Sequence, residues 1–301
     1  MNNDTKLNNL LDVAKRFPTE QSCREFIEQI RWNGKPVCVH CGNTENIYRI
    51  KNDTLLRCSA CRKNFSVKVG TIFEDSHVEL QKWFFAMFIH SGHKKGISSC
   101  QLAKDISVTQ KTAWFMLQRI RLAMETKSFA KPLSGIVEAD ETYVGGKYAG
   151  KRGRGSENKT PVFGLVERQG EVRTQPVKRV NRETLQGIIR DSVVPATTVM
   201  TDEWLAYNGL SDIYTHKVIN HGKKEYVNGD IHVNTMENFW SLLKRGIFGI
   251  YHHVSDKHLY RYCNEFGFRH NSREITDANR FEMTVSQSEG KRLMYKNLIA
   301  K

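Results

Sequence analysis

Two Cys-x-x-Cys pairs, Cys38/Cys41 and Cys58/Cys61, stand sixteen residues apart in this chain, and nothing else in it restricts the fold so much. Each pair presents two thiolates from a tight turn, and the separation lies within the range of four-cysteine zinc sites. Four thiolates at about 2.3 Å complete a tetrahedral shell, so Zn²⁺ held here is structural and has no open position for chemistry. Residues 47–50 and 55–58 are expected as short strands joining the two turns. A ribbon over 37–76 has little core of its own, so metal binding and folding are one event. His40, between two ligands, is expected to be a bystander. The remaining cysteines, Cys23, Cys100 and Cys263, are isolated and expected to be reduced and partly buried. Seven cysteines in all do not suit a secreted disulfide framework.

The 301 residues carry a formal charge of +14, which favours a polyanionic partner, nucleic acid above all. With 39% apolar and 10% aromatic residues the chain can bury real cores, and its length implies more than one domain. The longest apolar run, WFFAMFI at 83–89, is far shorter than the roughly 20 residues of a membrane span. The first residues, MNNDTKLNNLLDVAKRF, lack the pattern of a signal peptide, so the expected location is the cytoplasm.

Residues 1–36 read as a helical element, with a helix opening at Phe17-Pro18-Thr19-Glu20. After the ribbon, 77–130 is helical by period. It divides at Asp105-Ile106-Ser107-Val108 into a helix-turn-helix pattern whose candidate recognition helix spans 109–121. Lys104, Lys111, Arg119 and Arg121 are its candidate DNA contacts, with Lys94 and Lys95 nearby. From Ser134 strands and helices alternate, so 131–275 is expected to be an α/β domain with a mixed sheet and flanking helices. A hairpin should turn at Gln169-Gly170. The loop GGKYAGKRGRGSENKT places Lys151, Arg152 and Arg154 as a further candidate DNA contact. Residues 276–301 are read as a C-terminal tail.

Asp140 and Asp202 each end an apolar strand, where an ionised group is costly unless something pairs with it. Glu237 opens a helical stretch, NTMENFWSLLKRGI, and Lys244 follows seven residues later, almost two turns on and therefore on the same face. Two strand-end aspartates and a helix glutamate can hold two Mg²⁺ (or Mn²⁺) ions, with positions left for phosphate oxygens. Lys244 would hold the nucleic-acid backbone as a point charge. Glu138, two residues before Asp140, shares its strand face and either assists the site or makes a structural ion pair. Trp204, Tyr207 and Trp240 are expected in the core.

The stretches RWNGKPVCVHCG, CSACRKNFSVKVGTIFEDS, QKTAWFMLQRIR, EADETYVGGK, VMTDEWLAY, HVNTMENFWSLLKRGIFGIYHHV and RLMYKNLIAK, in order along nearly the whole chain, resemble bacterial insertion-sequence transposases of the DDE class with an N-terminal zinc ribbon. The family often has proline where Val39 stands. The resemblance implies an RNase H-like catalytic domain, binding of terminal inverted repeats, Mg²⁺-dependent DNA strand cleavage and transfer of the freed 3′-hydroxyl to target DNA. It implies a homo-oligomer, at least a dimer on DNA, because two element ends are joined. Asp140, Asp202 and Glu237 correspond to the acidic triad and Lys244 to the trailing lysine. Some relatives use asparagine as the third residue, which leaves Asn234 as an alternative to Glu237. An amide oxygen is the weaker ligand. Asn234 has a second reading as a helix cap, with Glu237 completing a capping box.

Overall fold

A computed structural model describes residues 7–125, 131–145, 159–219 and 232–300. The chain forms two compact units, one built from 1–125 with 274–301 and the other from 126–273.

In the first unit, α1 (Leu10–Arg16) and α2 (Glu20–Trp32) open with side-chain caps from Asn9 and Thr19. Thr19 and Ser22 form a reciprocal capping box, and α2 ends where Asn33 turns left-handed. The ribbon follows as antiparallel β1 (Ile47–Ile50), β2 (Leu55–Cys58) and β3 (Asn64–Phe65). Each cysteine pair is followed by a residue of positive φ, Gly42 at 75° and Arg62 at 59°, which closes the turn around its thiolates. Beneath the ribbon Phe65 is buried against Trp32, ring centroids 6.0 Å apart.

Helix α3 (Leu80–Gly92) buries Leu80, Trp83, Phe84, Met87 and Phe88, as befits a helix apolar on nearly every side. Helices α4 (Ser99–Asp105) and α5 (Gln110–Ala123) realise the expected helix pair, opened by caps from Ser98 and Thr109. Far along the chain, the segment expected as a tail contains two helices at 277–286 and 295–299. The first packs Phe281 among Phe17, Phe26 and Phe84 of this unit. The aromatic residue at the right point of a helical period, rather than any local signal, makes this tail part of the core.

The second unit is built on β4 (Ile136–Gly145), β5 (Lys159–Glu167), β6 (Val172–Pro176), α6 (Arg182–Ser192), β7 (Thr198–Asp202) and β8 (Thr215–Ile219). The sheet order is β6-β5-β4-β7-β8. The hairpins β4/β5 and β5/β6 are antiparallel, while β4, β7 and β8 run parallel. Helices α7 (Asn234–Gly246) and α8 (Asp256–Asn271) complete the unit, and α9 (Asp277–Ser286) and α10 (Tyr295–Ile299) are the two helices of the first unit already met. The α/β fold with a mixed sheet and flanking helices is therefore as expected. The expectation did not include β8, whose half-exposed residues THKVI show no run of buried positions.

Period-2 alternation divides the sheet's side chains cleanly. Val137, Ala139, Phe163, Leu165 and Val199 face the core that holds Leu185 and Ile189 of α6. Val144, Val162 and Val166 face Met236, Phe239, Trp240 and Leu243 of α7 and Phe266 of α8. Glu138 and Asp140 have the parity of Val144, which puts two carboxylates on the α7 side. No helix among the described residues is long and apolar enough to cross a membrane.

Candidate metal and nucleic-acid sites

In the ribbon the four Sγ atoms of Cys38, Cys41, Cys58 and Cys61 lie within 4.8 Å of one another. Cys38 and Cys61 are 3.6 Å apart and Cys41 and Cys58 3.7 Å. Metal–sulfur distances of about 2.3 Å give a tetrahedron with edges of about 3.8 Å, so the thiolates already have the spacing zinc requires. The backbone N–H of Cys61 leads in drawing the Cys58 thiol down to about 6, while Cys41 stands up at about 12. His40 is exposed and outside the cluster, its Nε2 3.4 Å from the Asn64 carbonyl. Cys23 and Cys263 are buried; Cys100, expected to be partly buried, is exposed.

The helix pair departs from expectation at its arginines. Lys104 and Lys111 are exposed, with Lys111 Nζ 4.9 Å from the Tyr295 ring centroid. Arg119 and Arg121 are instead turned inward, 5% and 1% exposed. Arg119 donates to the carbonyls of Ile72 at 2.8 Å, Glu74 at 2.9 Å and Leu293 at 3.1 Å, and its guanidinium lies over Phe115. A cation that closes three carbonyls is a bracket of the helical unit, and neither arginine is available as a DNA contact. Lys151, Arg152 and Arg154 lie outside the described residues.

The carboxylates gather at one end of the second unit's sheet. The β4/β7 ladder runs Ile136↔Thr198, Val137↔Val199, Glu138↔Met200, a constant offset of 62 (198 − 136). Continued past its last pair, the same offset carries Asp140 to the level of Asp202 (202 − 140 = 62) on the same face; Asp202 ends β7 as expected, whereas Asp140 lies within β4, which runs on to Gly145 in its pairing with β5. Burial, and then the charges of Glu141 and Asp202, push the Asp140 carboxyl up to about 7. Trp240 Nε1 donates to Asp140 Oδ2 at 3.0 Å, and the Trp204 backbone N–H to Asp202 Oδ1 at 3.1 Å. Lys244 is half-buried, its ammonium lowered by burial, with Asp140 as the neighbour that opposes this and Lys159 as one that adds to it.

Glu237 is exposed on the first turn of α7. Seven residues amount to about 20° short of two turns, so Glu237 shares the flank of Lys244, while Asn234 lies about 60° away from Glu237 around the helix. The capping box read for this helix is not formed. Val233 is the N-cap, no side chain of the helix caps it, and Glu138 fills the role from β4 by accepting the Met236 N–H at 3.0 Å. Among the described residues the oxygens of Asp140, Asp202 and Glu237 are not drawn within 4.8 Å of one another. The charge repulsion that raises Asp140 is what a cation would relieve.

Gly164 escaped the sequence reading of this site, and the structure completes that of Trp240 and Glu138. Trp240 is core, as expected, at 4% exposure, but its indole N–H also serves Asp140. Glu138 makes an ion pair, with Arg168 Nε 2.8 Å from its Oε1. Gly164 faces Asp140 across the β4/β5 ladder, and a Cβ there would lie 2.7 Å from Trp240 Cζ2, besides striking Met236. Gly164→Ala is therefore expected to lift Trp240 from Asp140 and to cost about 1–3 kcal/mol. Gly187→Ala, in α6 with nothing within 4 Å, is expected to stabilise by about 0.5–1 kcal/mol. Melting curves of the two variants, with the indole N–H resonance of Trp240, check both signs. Glu141 accepts from Tyr207 Oη at 2.7 Å, and Glu203 is exposed. Arg269 of α8 is buried and paired with Glu265.

Comparison with known proteins gives a consistent result. Residues 132–271 match the family of ISXO2-like transposase domains, and residues 18–64 the transposase zinc-ribbon domain. A protein in transposable element ISH50 of Halobacterium salinarum, itself uncharacterised, is 33% identical over 277 residues, 85% of this chain and 92% of its own length. An uncharacterised transposase-like protein of Haemophilus influenzae is 31% identical over 106 residues, 35% of this chain and 85% of its own length. Among solved structures, a pre-cleavage Mos1 transpososome is similar at 14% identity and TM-score 0.25, over 66% of this chain and 76% of the other. The Mos1 transposase paired-end complex with left transposon end stands at 13% and 0.25, over 64% and 75%.

Proposed function

This chain belongs to the ISXO2-like transposases with an N-terminal zinc ribbon, and from that premise we propose that it binds the terminal inverted repeats of an insertion sequence and catalyses Mg²⁺-dependent DNA strand cleavage and strand transfer. The observation that carries this reading is the placement of Asp140 on β4 beside Asp202 at the end of the adjacent parallel strand β7, with Trp240 of α7 donating to Asp140. Asp140, Asp202 and Glu237 hold the divalent cations, Glu237 being preferred over Asn234 because it shares the Lys244 flank. Two such ions stabilise the attacking and leaving oxygens of an in-line phosphoryl displacement. Trp240 donates to Oδ2 of Asp140 and so holds that carboxylate in place. Lys244 holds a phosphate of the strand being cut. Exposed Lys104 and Lys111 on the helix pair, with the zinc ribbon, read the element ends, and Lys151, Arg152 and Arg154 hold flanking or target DNA. The working assembly is at least a dimer on DNA, in the cytoplasm.

The test uses labelled duplex carrying the gene's own flanking inverted repeats, incubated with full-length protein, Mg²⁺ and an unlabelled second duplex. Cleavage at the repeat boundary, abolished by EDTA, with label appearing in the second duplex, is the expected result. Cleavage without joining would mean a nuclease instead, and tight binding without cleavage a DNA-binding regulator. Strand transfer that survives neutralising Lys151, Arg152 and Arg154 together would remove those three from the reading.

A further inference from the structure

Glu138 is 0% exposed, yet both of its oxygens are engaged. Oε1 accepts from Arg168 Nε at 2.8 Å and Thr235 Oγ1 at 2.9 Å, with His232 Nδ1 at 3.3 Å, and Oε2 accepts from the Met236 backbone N–H at 3.0 Å. Two residues along the same strand face, Asp140 accepts from Trp240. Two strand residues advance about 6.7 Å. Four helix residues advance about 6 Å. The strand's repeat therefore matches one turn of α7, and two successive carboxylates of β4 grip two successive turns of the helix.

We infer that Glu138 is a positioning residue for DNA strand cleavage: by pinning the first turn of α7 while Asp140 holds the next, it fixes the register in which Glu237 and Lys244 approach Asp140. A slip of one residue would move the helix only about 1.5 Å along its axis but rotate Glu237 by about 100°, off the flank of the site. A glutamine cannot replace the carboxylate, because its amide nitrogen accepts no hydrogen bond and one set of donors loses its partner. The inference rests on the transposase reading for its reaction but on the clamp alone for its geometry.

The experiment compares wild type, Glu138→Gln and Thr235→Val, all full-length and zinc-loaded. Three quantities are read: Mn²⁺ affinity by electron paramagnetic resonance, the Mg²⁺ concentration for half-maximal nicking of end DNA, and amide exchange at Met236. Glu138→Gln is expected to bind Mn²⁺ at least about 10-fold more weakly and to need about 10-fold more Mg²⁺, as loss of a supporting residue around a metal site typically does. Its affinity for end DNA should stay within about twofold of wild type, since the helix pair is untouched. Thr235→Val, which removes one donor and no charge, is expected to shift both metal readouts the same way by about two- to fourfold, and it decides the matter if Glu138→Gln does not fold. Wild-type Mn²⁺ affinity and Mg²⁺ requirement in folded Glu138→Gln, with Met236 exchange accelerated, would overturn the inference. If wild type itself does not nick end DNA, the transposase reading fails separately, and the Mn²⁺ affinities still judge the clamp.

Discussion

Asp140→Asn is expected to bind element-end DNA as wild type does while losing metal-dependent nicking by about 10³-fold or more, since one carboxylate of the proposed two-ion site is removed at its centre. The same substitution is expected to make the metal-free protein more stable, and the sign follows from the carboxyl's position. Burial first, with Glu141 and Asp202 behind it, holds Asp140 at about 7 in the folded chain. An unfolded aspartate titrates near about 4. The folded state therefore binds the proton more tightly. Its contribution to stability is fully present below about pH 4 and is lost as pH rises through about 7. Above that the wild type carries an ionised, half-buried carboxylate beside two others, and the Asp140→Asn variant carries a neutral amide in its place.

The gap between about 4 and about 7 sets a ceiling of about 4 kcal/mol. Partial exposure and relaxation reduce the expected gain to about 1–3 kcal/mol at pH 8, shrinking to nothing near pH 4. For a unit of this size that is a rise of about 3–10 °C in melting temperature. Mg²⁺ should raise the wild-type midpoint at pH 8 and leave that of Asp140→Asn unmoved. Calorimetry at about pH 4.5 and 8, with and without Mg²⁺, checks all four combinations. A variant less stable than wild type at pH 8 would mean that the Trp240 hydrogen bond outweighs the repulsion. Loss of end binding together with nicking would mean misfolding.

The second large effect is expected in the ribbon. Removing Zn²⁺ with a strong chelator should unfold residues 38–65 and abolish amide protection across β1, β2 and β3. Apparent binding energies of about 10–16 kcal/mol for small zinc modules far exceed what this ribbon's few buried side chains supply. Its apolar interior is little more than Leu56, Phe65 and Val67. Protection across β4, β5, β7 and β8 should persist, because that sheet has its own core on both faces. Zinc affinity should fall as pH falls, since each thiol must lose its proton to bind. Amide exchange with zinc content measured on the same sample is the check. A chelated ribbon that kept its protection would show that packing against Trp32 is sufficient by itself.

Much of this protein could be read from local pattern, and the readable part shares one property: each signal repeats or closes within a few residues. The cysteine pairs, the helix opening at Thr19 and the alternation along β4 are all of that kind. So is the rotation that puts Glu237 and Lys244 on one flank of α7. The readings that changed depend on partners far along the chain. Arg119 looks like a DNA contact on a basic helix until Ile72, Glu74 and Leu293 take its guanidinium. Residues 276–301 look like a tail until Phe281 joins the aromatic core. A capping box at Asn234 is reasonable until Glu138, 98 residues before Met236, caps the helix from the sheet.

The sequence by itself determined the zinc ribbon, the helix pair and the α/β class, because ligand spacing and hydrophobic period are local properties. Only the tertiary structure decided that Asp140 and Asp202 lie on neighbouring strands, that Trp240 spends its N–H on Asp140, and that Glu138 caps α7 from the sheet. Parallel strand register and buried hydrogen bonds are settled between segments dozens of residues apart, where satisfying every buried polar group, and not local propensity, selects the partner.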